Sequence, residues 1–148
     1  MILVYRQARV KVTELCDNQR MARSLRFAVL PERLAIARLE PDSDLPEWAA
    51  STVFCAVTRT SEELSVVCPE SEVPTDVECD RGWRALKIEG PLELDEVGIV
   101  RSLAVPLAEV GVSIFVISTY ETDYVLVREV QLETALSALA EHGHTVRE

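Results

Sequence analysis

The sequence predicts an α+β protein made of two tandem ferredoxin-like units, each with the order βαββαβ. Three observations lead there. The second half reads strand, helix, strand, strand, helix, strand from its apolar periods, and the first half approximates the same order. Between them, residues 69–80 (PESEVPTDVECD) combine acidic charge with two prolines and interrupt both periods. A length of 148 residues suits one compact unit or two half-size subdomains sharing a core. The predicted subdomains are residues 21–80 and 81–148. Residues 1–20 stand apart as an extension of uncertain status, because strong patterning begins only after Met21, a second candidate translation start.

Taken in order, Leu34–Leu39 (LAIARL) reads as a first strand. Residues 42–50 follow, where Pro46 suits an early position in a short helix. Val53–Arg59 alternates faces, with Val53, Cys55 and Val57 opposed to Phe54, Ala56 and Thr58. Leu64–Cys68 pairs with it across the polar link Thr60–Glu63, which fits a hairpin turn. In the second half, Trp83–Glu89 alternates as a strand, and apolar residues at 100, 103, 107 and 110 give helical spacing over Val97–Val110. Pro106 removes one backbone donor inside that helix, and Gly111 suits its C-terminal cap. Val112–Ser118 and Tyr124–Val127 form a second hairpin. A helix over Gln131–His142 and a short strand at Thr145–Arg147 close the chain.

Composition narrows the function. Hydrophobic residues make up 48% of the chain and charged residues 27%, enough apolar surface to fold independently. The net charge of −10 has the wrong sign for nucleic acid or an anionic membrane surface as partner. That charge is uneven: residues 1–38 hold eight basic side chains against three acidic ones, net +5, leaving −15 for the remainder. The basic segment reads as solvated, or docked on the acidic body of its own chain. The four cysteines lack metal-site or disulfide-scaffold spacing, which fits reduced thiols in the cytoplasm. The opening apolar run is cut by Arg6 and Arg9, and the longest apolar stretch is too short to span a bilayer.

Catalysis finds little support in the residue pattern. His142 and His144 flank Gly143 at the end of the last predicted helix, where exposure without chemical function is expected. Cys55 and Cys68 lie on predicted strands, where cysteine behaves as a small buried hydrophobe. Phosphate-cradling glycine loops and nucleophile-elbow motifs are absent from the sequence, and no metal or cofactor is predicted.

Two stretches stand out as candidate binding elements. In residues 90–100 (GPLELDEVGIV), Asp95 is placed to cap the following helix, and Gly98, one turn in, leaves backbone open to close approach. Free N–H groups at a helix start attract an anion, while Asp95 and Glu96 attract a cation. The two signs together suit a zwitterion such as a free amino acid. A capped helix with a solvated acidic first turn explains the same residues. The second stretch, 118–124 (STYETDY), clusters hydroxyl, aromatic and carboxylate groups at the tip of an otherwise apolar hairpin. A ligand-covering tip and an ordinary turn with solvent-facing Tyr120 and Asp123 are both consistent with it.

The run from Gly90 to Val127 resembles the ACT domain, in particular the ACT-like group shared by small bacterial proteins and the cytosolic arginine sensors. Its most specific pieces are the G-P-L…G-I loop and I-S-T-Y-x-T-D-Y. VFCAVTRTSEELSVVCPESEVP and RGWRALKIEG extend the resemblance over about Leu25 to Val146, excluding residues 1–20. It implies two tandem ACT subdomains that sense a small molecule, probing it at an interface between modules. By motif, Asp95, Glu96, Gly98, Ile99 and Val100 would contact ligand from the loop, and Thr119, Tyr120 and Asp123 from the hairpin. Val112 and Ser113 would contribute from a partner module. The sensors join four modules where this chain supplies two, so a homodimer would restore the arrangement.

The expected function is therefore a non-catalytic regulatory protein that binds an amino acid or similar zwitterion and signals to a protein partner. The competing expectations are a constitutive interaction module that keeps the fold without the pocket, and an enzyme using Cys55 or Cys68.

Overall fold

The computed structural model describes residues 24–92 and 96–147. The N-terminal extension, Met21 and Asp95 lie outside the described residues. A single seven-stranded sheet runs through the described chain. Its strands are β1 (Arg26–Leu39), β2 (Ala56–Arg59), β3 (Leu64–Pro69), β4 (Cys79–Ile88), β5 (Ile114–Ser118), β6 (Asp123–Arg128) and β7 (Thr145–Arg147). Helices α1 (Ile99–Glu109) and α2 (Leu132–Glu141) follow β4 and β6. The second half thus has the predicted order β4–α1–β5–β6–α2–β7.

The first half repeats this order with less helix. Residues 42–50 yield only one 3-10 turn, Glu47–Ala49, and a second turn at Glu70–Glu72 follows β3. Pro46 sits just before the first turn, but nine residues containing Asp42, Asp44 and Pro46 offer too few good helix formers to propagate one. Trp48 and Ala49 nevertheless pack where a helix would, over Leu64, Val66 and Cys68.

Sheet order is β2-β3-β1-β4-β6-β5, with β7 pairing β1 in parallel. Exchanging β1 with β4, β2 with β5 and β3 with β6 leaves this order unchanged. The central antiparallel pair β1–β4 is therefore a pseudo-twofold junction, with Leu34 opposite Trp83. Residue 80, where the sequence suggests a division, falls inside β4, which continues unbroken across it.

β1 is longer than the six residues its pattern suggests, because it continues through Pro31. Register shifts between Val29 and Arg33 and between Leu34 and Ile36 absorb the imide, whose missing N–H a bulge tolerates. β2 is shorter than expected: it begins at Ala56, so Val53, Phe54 and Cys55 form its approach rather than its body. β5 likewise begins at Ile114, leaving Val112 and Ser113 in the link from α1.

One sheet face carries Phe27, Leu86, Ile88, Val125 and Val127 against Ile99, Leu103 and Leu107 of α1 and Ala135 and Leu139 of α2. Fully burying each large apolar side chain contributes roughly 1.5–3 kcal/mol before chain entropy is charged against it. The opposite face gathers Leu34, Val67, Trp83, Ala85 and Leu126, with Phe54 and Tyr124 packed against them. Phe54 precedes β2 and Tyr124 lies on β6, yet their rings meet edge-on at 5.2 Å. The sheet is curled so that its two flanks close over this inner face.

The last residues differ from expectation. His142 is exposed, with Nε2 3.3 Å from a Glu109 carboxylate oxygen, but His144 is buried. The Leu25 N–H donates to His144 Nδ1 at 3.2 Å, and Nε2 lies 3.1 Å from the Ser102 carbonyl oxygen. The ring is thus a neutral Nε2–H tautomer that ties β1, α1 and β7 together, edge-on to Phe27. A polar ring can be buried here because both nitrogens find backbone partners.

Candidate functional site

The two stretches singled out in the sequence meet. Residues of the β4–α1 loop, the first turn of α1 and the β5–β6 hairpin tip line one concavity of about 520 Å³. From the predicted set it takes Glu96, Gly98, Ile99, Val100, Thr119, Tyr120 and Asp123. Asp95 lies outside the described residues.

The loop and hairpin are held together by backbone. The Leu92 N–H donates to the Glu121 carbonyl oxygen at 2.9 Å. Gly90 makes this approach possible: a Cβ there would stand 2.7 Å from the same carbonyl oxygen. The hairpin tip is fixed by its own threonines. The Thr119 N–H and hydroxyl both donate to the Thr122 carbonyl oxygen, and the Thr122 hydroxyl donates to Ile88 of β4 at 2.6 Å.

Gly98 is the N-cap residue of α1, not a residue one turn inside it. Its φ of +94° is the left-handed region, which glycine enters without a Cβ penalty. Gly98, lacking a side chain, makes no side-chain cap to this helix. Helix geometry leaves the N–H groups of Ile99, Val100 and Arg101 without intrahelical carbonyl partners, whereas Ser102 N–H reaches Gly98 O at 3.0 Å. Those amides and the exposed Arg101 face an anion-attracting corner, with the Glu96 and Asp123 carboxylates in the same lining. At the rim, Val97 is 96% exposed and Tyr120 80% exposed, apolar surface that no other described residue covers.

Val112 and Ser113 are not in this lining. They precede β5, whereas the concavity lies at its far end, beyond Ser118, on the order of 16 Å away along the strand. Val112 is buried against the α1 core, its N–H bound to the Leu107 carbonyl oxygen at 2.8 Å. Conversely, the lining includes Leu92, Val97, Arg101, Ser118, Glu121 and Thr122, which the sequence reading did not select. Arg101 had a usable signal: it is the single charged residue in the first turn of α1, just after the acidic Glu96.

Among the described residues, the thiols do not assemble into a reactive group. Cys55 is exposed rather than buried on a strand, and its Sγ–H donates to the Ala49 carbonyl oxygen at 2.8 Å. Partial burial, then the nearby Glu72 carboxylate, raises its pKa. Burial pushes the Cys68 thiol up to about 11, reinforced by Glu72. Both shifts disfavour the nucleophilic thiolate. Among the described residues, no group of three or more His, Cys, Asp or Glu side chains is placed to hold a metal ion. Among them, no helix is long and apolar enough to cross a membrane.

Residues 78–141 match the family model of the ACT domain. A second family model, for an N-terminal domain, matches residues 32–76. A crystal structure of an Agobacterium tumefaciens protein is 40% identical, covers 84% of this chain and 93% of its own, and superposes with a TM-score of 0.80. Residues 78–141 are an ACT domain. This ACT-domain protein is also similar to subunit 1 of the mouse cytosolic arginine sensor for mTORC1, 46% identical over 105 residues. That match covers 64% of this chain and 32% of the sensor; the bovine sensor is 32% identical over 106 residues, with the same coverage. The chain thus spans about a third of the length of these curated relatives. Aspartate kinase from Clostridium acetobutylicum shares the fold at 13% identity and a TM-score of 0.57, covering 75% of this ACT-domain protein and 33% of the kinase. Every residue lining the concavity falls inside the segment matched by the ACT model.

Proposed function

We propose that this ACT-domain protein is a non-catalytic regulatory module that binds an amino acid in the concavity between the α1 start and the β5–β6 hairpin. The observation that carries this reading is the convergence of both charge-bearing stretches on one lined space. The amides of Ile99–Arg101, assisted by Arg101, hold the ligand carboxylate. Glu96 and Asp123, with Asp95 on sequence grounds, hold its cationic group. Tyr120 and Val97 cover it, which removes their exposed apolar surface from water. The similarity to arginine sensors supports an amino acid as ligand class.

A second copy of the chain completes the site in this proposal. Val112 and Ser113, remote from the concavity within one chain, then contribute from the partner, and a twofold axis generates two equivalent sites. Ligand favours one arrangement of the dimer, and a regulated protein partner reads it; this requires different ligand affinity for the two arrangements.

A thermal-shift screen of the full chain against the proteinogenic amino acids at millimolar concentration tests this. Ligand at about a hundred times its dissociation constant adds roughly 2.7 kcal/mol to native stability. One or a few related amino acids should raise Tm, and Tyr120→Ala and Asp123→Asn should abolish the rise while leaving the unliganded Tm within a degree or two. A flat response across the set, or a rise untouched by both substitutions, would overturn the assignment in favour of a ligand-independent interaction module.

A further inference from the structure

The pseudo-twofold relation sets a counterpart opposite the C-terminal concavity, and one difference between the two is the residue at the hairpin tip. Arg59 pairs with Leu64 as the last residues before the β2–β3 turn, and Ser118 pairs with Asp123 before the β5–β6 turn. The turns match in detail. The Thr60 N–H donates to the Glu63 carbonyl oxygen at 2.9 Å, as Thr119 does to Thr122 at 2.8 Å. In both, the threonine hydroxyl accepts the N–H three residues on, at 3.1 Å and 3.3 Å. Ser118 and Arg59 are therefore structural equivalents, each aimed from a hairpin tip at the loop that leaves the central strand.

In the second half the short Ser118 side chain leaves the space open. In the first half the guanidinium of Arg59 enters the corresponding loop. Its Nη1 donates to the Pro41 carbonyl oxygen and its Nη2 to the Ser43 carbonyl oxygen at 2.7 Å. The Ser43 N–H bonds back to the Glu40 carbonyl oxygen at 3.0 Å, turning the loop so that both acceptors face one planar donor group. Asp42 and Asp44 give this loop negative charge. No α-helix begins here, only a three-residue 3-10 turn, so the amides suited to a carboxylate are missing.

We infer that the N-terminal half carries a second site, specific for a guanidinium cation, which the chain fills with its own Arg59. One chain then presents one open site instead of two, and a guanidinium from solution binds the first half only when Arg59 is removed. Two carbonyl acceptors on a turned loop suit the fixed fork of a guanidinium better than a point-charge ammonium. This inference does not rest on the ligand of the C-terminal concavity.

The test is chemical rescue of the full chain. Arg59→Ala and Arg59→Ser are heated in methylguanidinium chloride up to about 50 mM, beside wild type, with sodium chloride and methylammonium chloride as controls. Both variants should melt below wild type and regain about 2 °C or more with methylguanidinium alone, while wild type gains nothing. Arg59→Lys, which keeps the charge and loses the fork, should melt below wild type and not be rescued. Nitrogen-resolved NMR of wild type at low temperature gives a second readout that needs no variant to fold: hindered Nη protons on Arg59 are expected. Variants that melt with wild type, a rise equal in all proteins, or freely rotating Arg59 Nη groups would each overturn the proposal.

Discussion

The Leu92 N–H and the Glu121 carbonyl oxygen, 2.9 Å apart, join the loop entering α1 to the hairpin after β5. The bond depends on Gly90, where any Cβ would meet that carbonyl oxygen at 2.7 Å. Backbone cannot yield as a flexible side chain does. Gly90→Ala is expected to cost about 1–3 kcal/mol in urea unfolding and to weaken the ligand-induced thermal shift, because loop and hairpin must separate. Unchanged stability would show that the loop is not pinned there.

His144 is a buried polar ring beside the core between the sheet and helices α1 and α2. His144→Ala removes a buried ring and strands the Leu25 N–H, so a loss of about 2–4 kcal/mol is expected. His144→Phe refills the volume beside Phe27 yet leaves the same amide unpaired, and should recover only part of that loss. Equilibrium denaturation of the three proteins decides it; full recovery by phenylalanine would mean that packing alone matters.

Thiol chemistry should follow burial. At pH 8 the Cys68 thiol, pushed up to about 11, remains protonated, and the Cys55 thiol is also raised. Alkylation of both, resolved by peptide mass spectrometry, should run slower than for free cysteine, with Cys68 slowest because it is inaccessible as well. Labelling of either at or above the free-cysteine rate would revive an enzyme reading.

Arg128 forms a two-armed contact with Asp80, at 2.6 and 2.5 Å, and stacks over Trp83 at 4.1 Å. Its hydrogen bonds hold the Asp80 carboxyl below the usual carboxylate range. Because the folded pKa is depressed, this stabilisation is present above the unfolded value of about 3.9 and fades as pH falls through the folded one. Asp80→Asn should flatten the acid limb of the stability curve slightly, since the pair is largely solvent-screened. An identical acid limb in the variant would assign that pH dependence to other carboxylates.

The sequence by itself determined the second-half element order, both hairpins and the two stretches that face the concavity. Those features are local: alternation in Tyr124–Val127, helical spacing from Val100 to Val110 and threonine-led turns follow from backbone periodicity and near-neighbour hydrogen bonding. Tertiary structure decided what depends on partners distant in the chain. Pairing with β4 before and after the register shift carried β1 through Pro31, and the pairing of Asp80 with Ile36 carried β4 through residue 80. His144 was buried because Leu25, 119 residues away, supplies its hydrogen-bond donor. Arg101 joined the candidate site and Val112 left it because folding fixed which end of β5 meets the start of α1. The fates of Arg59 and Ser118 likewise depended on what stood opposite each hairpin, a relation that no local period in the chain encodes.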